Sequence, residues 1–178
     1  KRWALMRSTS EENIMEHSWE VTVVAHALAV IKNRMFGGCV DEYKTLCLAV
    51  YHETSEVVTG DLPTPIKYFN RDINSAYKNL EKDANERLIS KLPEELQSCY
   101  ADFILDDPNS EEHKLMKYAD RICAYIKCLE ELKVGNKEFL KAKETIGKEL
   151  NAVTDDAVVY FRKNVLPTFS KTLDELEM

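Results

Sequence analysis

Apolar residues recur along this chain with the spacing of an α-helix. They return every three to four positions, and no segment alternates apolar and polar residues as a half-buried strand would. The pattern predicts an all-α protein, a bundle of helices joined by short connections. One domain over residues 1–178 accounts for the length, since no repeat or low-complexity linker divides it. Because the sequence begins at Lys1, we expect a short native segment to precede it.

Capping signals place the ends of the predicted helices. Asn13 and Glu16 have the spacing of a capping box and should begin a helix that reaches about position 34. Asp41 should cap a second helix, which ends near position 59 and buries Val57 and Val58. Further helices are predicted at residues 70–91, from 93 onwards, and at 110–134, 137–151 and 155–176, the last kinked or split at Pro167.

Composition and charge narrow the classes of partner. No run of about 18 apolar residues exists, so we expect no membrane span. The net charge of −7 argues against binding of a nucleic-acid polymer, which needs a basic face. A small anionic substrate is still compatible, because a few basic side chains and a metal can hold one phosphate. Five cysteines without a CxxC pair indicate reduced thiols and a cytoplasmic location.

The segment around His52 has the first residues that could carry chemistry. His52, Glu53 and Glu56 place an imidazole and two carboxylates within five residues of a mostly apolar helix. In one continuous helix, His52 and Glu56 would share a face. Burial of these groups is costly without a counter-charge, which a divalent cation would supply. A solvated polar stripe is the alternative interpretation.

His17 and Asp120 could complete a metal site. His17 lies in the first turn of the first predicted helix, and Asp120 is a single acidic residue in an apolar stretch of a long helix. Each could instead be structural, as a helix histidine and as one half of an ion pair. Taken with His52 and Glu53, they give two imidazoles and two carboxylates from three helices. That donor set suits a first-row divalent ion such as Mn²⁺, Co²⁺, Fe²⁺ or Zn²⁺.

With these residues in this order, the sequence resembles the bacterial HD-domain 5′-deoxynucleotidases, the YfbR-like group. The resemblance covers nearly the whole chain, and it implies a single-domain HD-domain helical bundle. The segments that carry it are residues 2–7 (RWALMR), 16–18 (EHS), 51–57 (YHETSEV), 59–69 (TGDLPTPIKYF), 119–120 (AD) and 123–132 (CAYIKCLEEL). The loop at 59–69 and the run at 123–132 are far more specific than a histidine-acid pair alone.

The resemblance implies a divalent metal ion held by His17, His52, Asp120 and the acid after His52. The family's name-giving pair is His-Asp, whereas this chain has His52-Glu53. The additional methylene moves the carboxylate outward by about one C–C bond, and metal distances outside about 0.2 Å of ideal weaken a site. Two interpretations therefore stay open: a working metal-dependent hydrolase, or a metal-poor nucleotide-binding or regulatory module with weakened catalysis.

The resemblance also implies the remaining roles. Glu56 would stand beside the reacting water, with Asp61 close enough to assist. Arg2 would bind the substrate phosphate, and Trp3 would lie against the sugar, where its bulk disfavours a 2′-hydroxyl. The implied substrates are nucleoside 5′-monophosphates, with deoxynucleotides preferred, and the implied assembly is a homodimer. An HD phosphohydrolase that acts on a pyrophosphate or a cyclic nucleotide is the alternative among enzymes.

Overall fold

The computed structural model describes residues 1–172 and 174–176, and that part of the chain is helical, without a strand. The predicted fold class, all-α, is confirmed. The α-helices are α1 (Ile14–Phe36), α2 (Glu42–Tyr51), α3 (Glu56–Thr59), α4 (Thr64–Lys67), α5 (Arg71–Ile89), α6 (Glu94–Ile104), α7 (Glu111–Lys133), α8 (Leu140–Ala152) and α9 (Asp156–Asn164). Short 3₁₀ turns lie between α7 and α8 at Lys137–Phe139, and after α9 at Leu166–Ser170 and Asp174–Leu176.

The predicted caps hold the starts of α1 and α2. The Asn13 side chain accepts from the backbone N–H of Glu16, and the Glu16 carboxylate accepts from the Asn13 N–H, so the capping box is complete. The Asp41 carboxylate accepts from the Lys44 N–H at the start of α2. These bonds satisfy amides that a helix leaves without partners in its first turn.

The second helix is shorter than predicted, and the prediction that His52 and Glu56 share one helical face is wrong. Helix α2 ends at Tyr51, and a turn over residues 52–55 precedes α3. The Thr54 hydroxyl and amide both donate to the Tyr51 carbonyl, at 2.6 and 3.0 Å. This side-chain bond competes with continuation of the helix. The sequence pattern could not show which of the two would form.

The structure tests two further predictions about the helices. Val57 and Val58 are exposed rather than buried, and they lie on α3, which is separated from α2 by the turn. The helix predicted over 155–176 is α9, which ends at Asn164, followed by the 3₁₀ turn that contains Pro167. Proline has no N–H to continue the helix, so the split predicted there is confirmed. Position 173 lies outside the described residues.

The core forms where α1 and α7 pack together, with α2, α8 and α9 around them. Leu28, Leu48, Ile122, Phe139 and Val158 are among its fully buried side chains. Burial of each large apolar side chain contributes about 1.5–3 kcal/mol. The start of α1, the end of α2 and the middle of α7 meet beside this core, which gives the polar groups there a rigid support. Among the helices of the described residues, none is long and apolar enough to cross a membrane.

Candidate active site

The four predicted metal ligands converge where α1, α2 and α7 meet. One ligand atom from each of His17, His52, Glu53 and Asp120 lies within 4.8 Å of all the others. The imidazole rings of His17 and His52 have centroids 5.4 Å apart. Nε2 of His17 lies 3.0 Å from Oδ1 of Asp120. The two histidine side chains are completely buried, whereas the two carboxylates keep some exposure.

A hydrogen bond fixes the tautomer of His52. Its Nδ1 lies 2.7 Å from the carbonyl oxygen of Ala49, so Nδ1 carries the proton and donates it. In the neutral ring, Nε2 then offers a lone pair, and it lies 3.2 Å from Oε1 of Glu53. Two lone pairs face each other there and need a proton or a cation between them. This arrangement is the one that orients metal-binding histidines in proteins.

Unsatisfied polar atoms are concentrated in this cluster. Among the described residues, the buried side-chain atoms without a hydrogen-bond partner include Nδ1 of His17, Nε2 of His52 and Oε2 of Glu56. Buried polar atoms are nearly always satisfied, so a group of orphans marks a place for a ligand. The mixed nitrogen and oxygen donors fit a first-row divalent cation. Glu53 reaches the cluster from the turn after α2.

The electrostatics of the cluster favour ionised carboxylates at the predicted ligands. Burial by itself would raise the pKa of Glu53, but the contact with His52 holds it at about 2. Burial also opposes ionisation of Asp120, and the contact with His17 together with Lys117 keeps its pKa well below the ordinary value. Two ionised carboxylates beside two imidazoles are ready to bind a cation without first releasing a carboxyl proton.

Glu56 and Asp61 lie next to the cluster with the opposite electrostatic behaviour. Burial, followed by the neighbouring Glu53 carboxylate, raises the pKa of Glu56 to about 9. Burial also raises the pKa of Asp61, partly opposed by Arg2. Asp61 follows Gly60, whose φ of 69° favours glycine, and the Tyr77 hydroxyl donates to the Gly60 carbonyl at 3.0 Å. That bond, which sequence reasoning missed, fixes the loop that carries Asp61.

Arg2 and Trp3 come to the site on a segment that folds back over the helices. A terminal nitrogen of Arg2, Nη1, lies 3.5 Å from Oε1 of Glu53. Burial would lower the pKa of Arg2, but the carboxylates of Asp120, Glu12 and Glu53 raise it, so the guanidinium stays charged. The Trp3 ring packs against Phe139 with centroids 5.2 Å apart. A fixed positive charge therefore lies beside the predicted metal ligands.

A buried ion pair that sequence reasoning did not single out anchors this segment. Nζ of Lys127 lies 2.7 Å from the Glu131 carboxylate and donates to the Ser10 carbonyl, also at 2.7 Å. The Glu131 carboxylate also accepts from the amide of Thr9 at 2.9 Å and its hydroxyl at 2.8 Å, and from the Asn136 side chain at 2.8 Å. The signal was present: two opposite charges four residues apart in an apolar stretch of a helix.

Glu12 is the second residue that sequence reasoning missed. It is buried, and its carboxylate contacts both Arg2 and Trp3. In the sequence it stands in the polar run from Ser10 to Asn13, where nothing distinguishes it from the exposed Glu11. Its position depends on how the segment folds back, which local patterns do not specify.

Two solved structures share the arrangement of helices seen in this chain. An HD-domain phosphohydrolase from Listeria innocua superposes with a TM-score of 0.82 at 22% identity, covering 99% of this chain and 86% of that chain. A protein from Pyrococcus horikoshii superposes with a TM-score of 0.70 at 18% identity, covering 94% of this chain and 88% of that chain. At these identities, the likeness establishes the fold.

Relatives found by sequence are far more similar to this chain than these solved structures are. A 5′-deoxynucleotidase of Vibrio cholerae is 50% identical over 177 residues, which cover 99% of this chain and 91% of that protein. The 5′-deoxynucleotidase YfbR of Escherichia coli is 51% identical over 176 residues, which cover 98% of this chain and 88% of that protein. A family model described as 5′-deoxynucleotidase YfbR-like matches residues 1–169. This chain therefore belongs to the YfbR-like 5′-deoxynucleotidase family.

Proposed function

We propose that this protein hydrolyses nucleoside 5′-monophosphates to a nucleoside and inorganic phosphate, with a divalent metal ion as cofactor and a preference for deoxynucleotides. The observation that carries the proposal is the convergence of four metal-ligand side chains beside the charged Arg2. The family and the names of its relatives support the same reaction. Phosphoryl transfer depends mainly on positioning and charge neutralisation, so the site needs no nucleophilic serine or cysteine.

His17, His52, Glu53 and Asp120 would hold the cation, and Co²⁺, Mn²⁺, Zn²⁺ and Fe²⁺ all suit this donor set. When bound, the cation would polarise a phosphate oxygen and lower the pKa of a water molecule. The Nδ1–H bond from His52 to Ala49 keeps Nε2 free to bind, as a good metal ligand requires.

The other site residues act on the substrate and the water. Arg2 binds the phosphate, since its planar guanidinium matches two phosphate oxygens and offsets charge in the transition state. Glu56 orients the attacking water and accepts its proton. Asp61 assists Glu56 in this role. Trp3 borders the sugar and excludes a 2′-hydroxyl by its bulk.

The alternative, a metal-poor nucleotide-binding module, assumes that the additional methylene of Glu53 carries its carboxylate past the metal position. The geometry weakens this assumption. In the structure, a Glu53 oxygen lies within 4.8 Å of the other ligand atoms, beside His52 and Arg2. No second cluster of metal ligands occurs in the part of the chain that is described, and a single-metal monoesterase fits this better than a pyrophosphatase.

The proposal is tested by phosphate release. Metal-stripped protein is reloaded singly with Mn²⁺, Co²⁺, Zn²⁺ or Fe²⁺ and given a panel of deoxy- and ribonucleoside 5′-monophosphates, a cyclic nucleotide and a nucleoside triphosphate. We expect metal-dependent release from the monophosphates, faster for the deoxy compounds. Folded protein that releases phosphate with none of these metals, Fe²⁺ included, would contradict the proposal and favour a nucleotide-binding module.

We also propose that the protein acts as a homodimer in the cytoplasm and binds no nucleic-acid polymer. Met15, Trp19 and Val23, four residues apart on α1, expose 82%, 70% and 52% of their surface. Val50 and Val57 extend this apolar face, and such faces are typical of interfaces. Light scattering should give twice the monomer mass, and Trp19→Glu should shift it to the monomer.

The free cysteines suit a reducing compartment such as the cytoplasm, and the net charge of −7 disfavours binding of a nucleic-acid polymer.

A further inference from the structure

A single carboxylate oxygen links the two substrate-binding residues to each other. Oε2 of Glu12 accepts from Nε–H of Arg2 at 3.0 Å and from the indole N–H of Trp3 at 3.1 Å. The backbone N–H of Arg2 also donates to the Glu12 carbonyl at 3.0 Å. Glu12 is buried, so these bonds are shielded from water. Hydrogen bonds to a charged acceptor are stronger than neutral ones and hold a narrower geometry.

The backbone of Trp3 depends on this support. Its φ of 58° lies in the left-handed region, where a bulky side chain is strained. Such a residue persists only when the contacts around it determine its position. Phe139 contacts the ring of Trp3, and Glu12 holds its N–H. Removal of one of these contacts would let the Trp3 backbone relax to a less strained conformation, and the indole ring would move with it.

Arg2 is oriented by the same oxygen. While Nε–H donates to Glu12, the terminal nitrogen Nη1 of the same guanidinium lies 3.5 Å from Oε1 of Glu53. An arginine without that contact would rotate about its long side chain. Its charge would then be less often available at the position of the phosphate.

We propose that Glu12 is a positioning residue that sets phosphate binding and sugar discrimination together, by holding Arg2 and Trp3 as one unit. The inference rests on the proposed function, in which Arg2 binds the phosphate and Trp3 borders the sugar. Glu12 itself touches no reacting atom. Loss of its carboxylate should therefore raise KM and reduce the preference for deoxynucleotides more than it lowers kcat.

The first measurement is kinetic. Glu12→Ala should reduce the deoxy-to-ribo ratio of kcat/KM by roughly tenfold, the effect of about one lost hydrogen bond, and should raise KM. Glu12→Gln keeps one acceptor oxygen, so it should fall between Glu12→Ala and the wild type. Glu11→Gln is the matched control: it changes the neighbouring residue, which is exposed and pairs with Lys1 outside the site. It should leave the ratio unchanged.

The second measurement observes Trp3 directly. The chain has two tryptophans, so a Trp19→Phe background leaves Trp3 as the single emitter. In that background, Glu12→Ala should lower the fluorescence anisotropy of Trp3 and increase its quenching by acrylamide, while Glu11→Gln changes neither. Far-UV circular dichroism checks that each variant is folded. A residue that only stabilised the fold would leave Trp3 anisotropy intact in the folded protein.

The outcomes separate this inference from the proposed function. A wild-type protein that releases phosphate from no nucleotide overturns the proposed function, and this inference with it. An active wild-type protein whose deoxy-to-ribo ratio is unchanged in folded Glu12→Ala overturns this inference alone, even if the anisotropy falls. Should Glu12→Ala fail to fold, the same criterion is applied to Glu12→Gln. A reduced ratio together with reduced anisotropy supports it.

Discussion

Oε1 of Glu53 lies 3.2 Å from Nε2 of His52, although the two residues are neighbours in the chain. On a continuous helix, adjacent side chains point about 100° apart. Helix α2 ends at Tyr51, and both residues contribute to one cluster from the turn that follows it. A glutamate at this position therefore meets the other residues of the cluster.

A first prediction follows for Glu53→Asp. In the wild type, the Glu53 carboxylate already lies within 4.8 Å of the other three ligand atoms. The shorter aspartate would withdraw the carboxylate from them, so metal affinity should fall by roughly tenfold, or about 1.4 kcal/mol. Isothermal titration of the metal-stripped protein with Mn²⁺ measures this, with Glu53→Gln as the control that removes the charge altogether. A sharp gain in metal affinity and activity in Glu53→Asp would instead support the metal-poor interpretation.

A second prediction concerns Glu56→Gln. The amide keeps the size of the side chain but cannot accept the proton of the attacking water, so kcat should fall by about 10²- to 10⁴-fold. Binding of a deoxynucleoside 5′-monophosphate, measured by titration with the metal-loaded variant, should stay close to the wild type. Asp61→Asn should lower kcat less. Full activity in Glu56→Gln would remove this residue from the mechanism.

The sequence was sufficient for those parts of the protein that depend on local patterns. The capping box at Asn13, the cap at Asp41 and the break at Pro167 each follow from the hydrogen bonds that one residue can make, and all three are confirmed. The turn at Thr54 was missed because a side-chain bond and the next helical bond compete for the same carbonyl.

The convergence of His17, His52, Glu53 and Asp120 was predictable for a different reason. Histidines and carboxylates are conspicuous in apolar stretches, and the resemblance supplied their order. Glu12 was not predictable in the same way, because its partner Arg2 lies 10 residues away and meets it only when the first segment folds back. For Lys127, the pair with Glu131 was visible in the sequence, but the bond to the Ser10 carbonyl, 117 residues away, depends on the same tertiary path.

A third prediction distinguishes the effect of the bulk of the Trp3 ring from the effect of its hydrogen bond to Glu12. Trp3→Ala should reduce the deoxy-to-ribo ratio of kcat/KM, because it removes the bulk that excludes a 2′-hydroxyl; a pocket difference of this size is typically 10- to 200-fold, or about 1–3 kcal/mol. Trp3→Phe keeps most of the bulk but cannot donate to Glu12, so its ratio should lie between the two. Steady-state kinetics on paired deoxy- and ribonucleotides measure both. Unchanged ratios would defeat the steric explanation.

The last prediction concerns the anchor between Lys127 and Glu131, and it gives a pH dependence. The buried contact with Lys127, together with the bonds from Thr9 and Asn136, outweighs burial and holds the pKa of Glu131 well below 4.5, its value in the unfolded chain. A lowered folded-state pKa stabilises the protein above pH 4.5, and the contribution is lost as the pH falls toward the folded-state value.

Glu131→Gln should therefore lower the free energy of unfolding at pH 7 by about 3–5 kcal/mol, since it leaves Lys127 buried without its counter-charge. The difference from the wild type should shrink below pH 4.5 by up to about 1.4 kcal/mol per pH unit. Urea unfolding at pH 7, 5 and 3.5 measures it. Glu138→Gln, at an exposed residue that accepts from the Arg7 amide of the same segment, should change stability by no more than about 0.5 kcal/mol. A difference for Glu131→Gln that stayed constant across this range would show that its ionisation does not stabilise the fold.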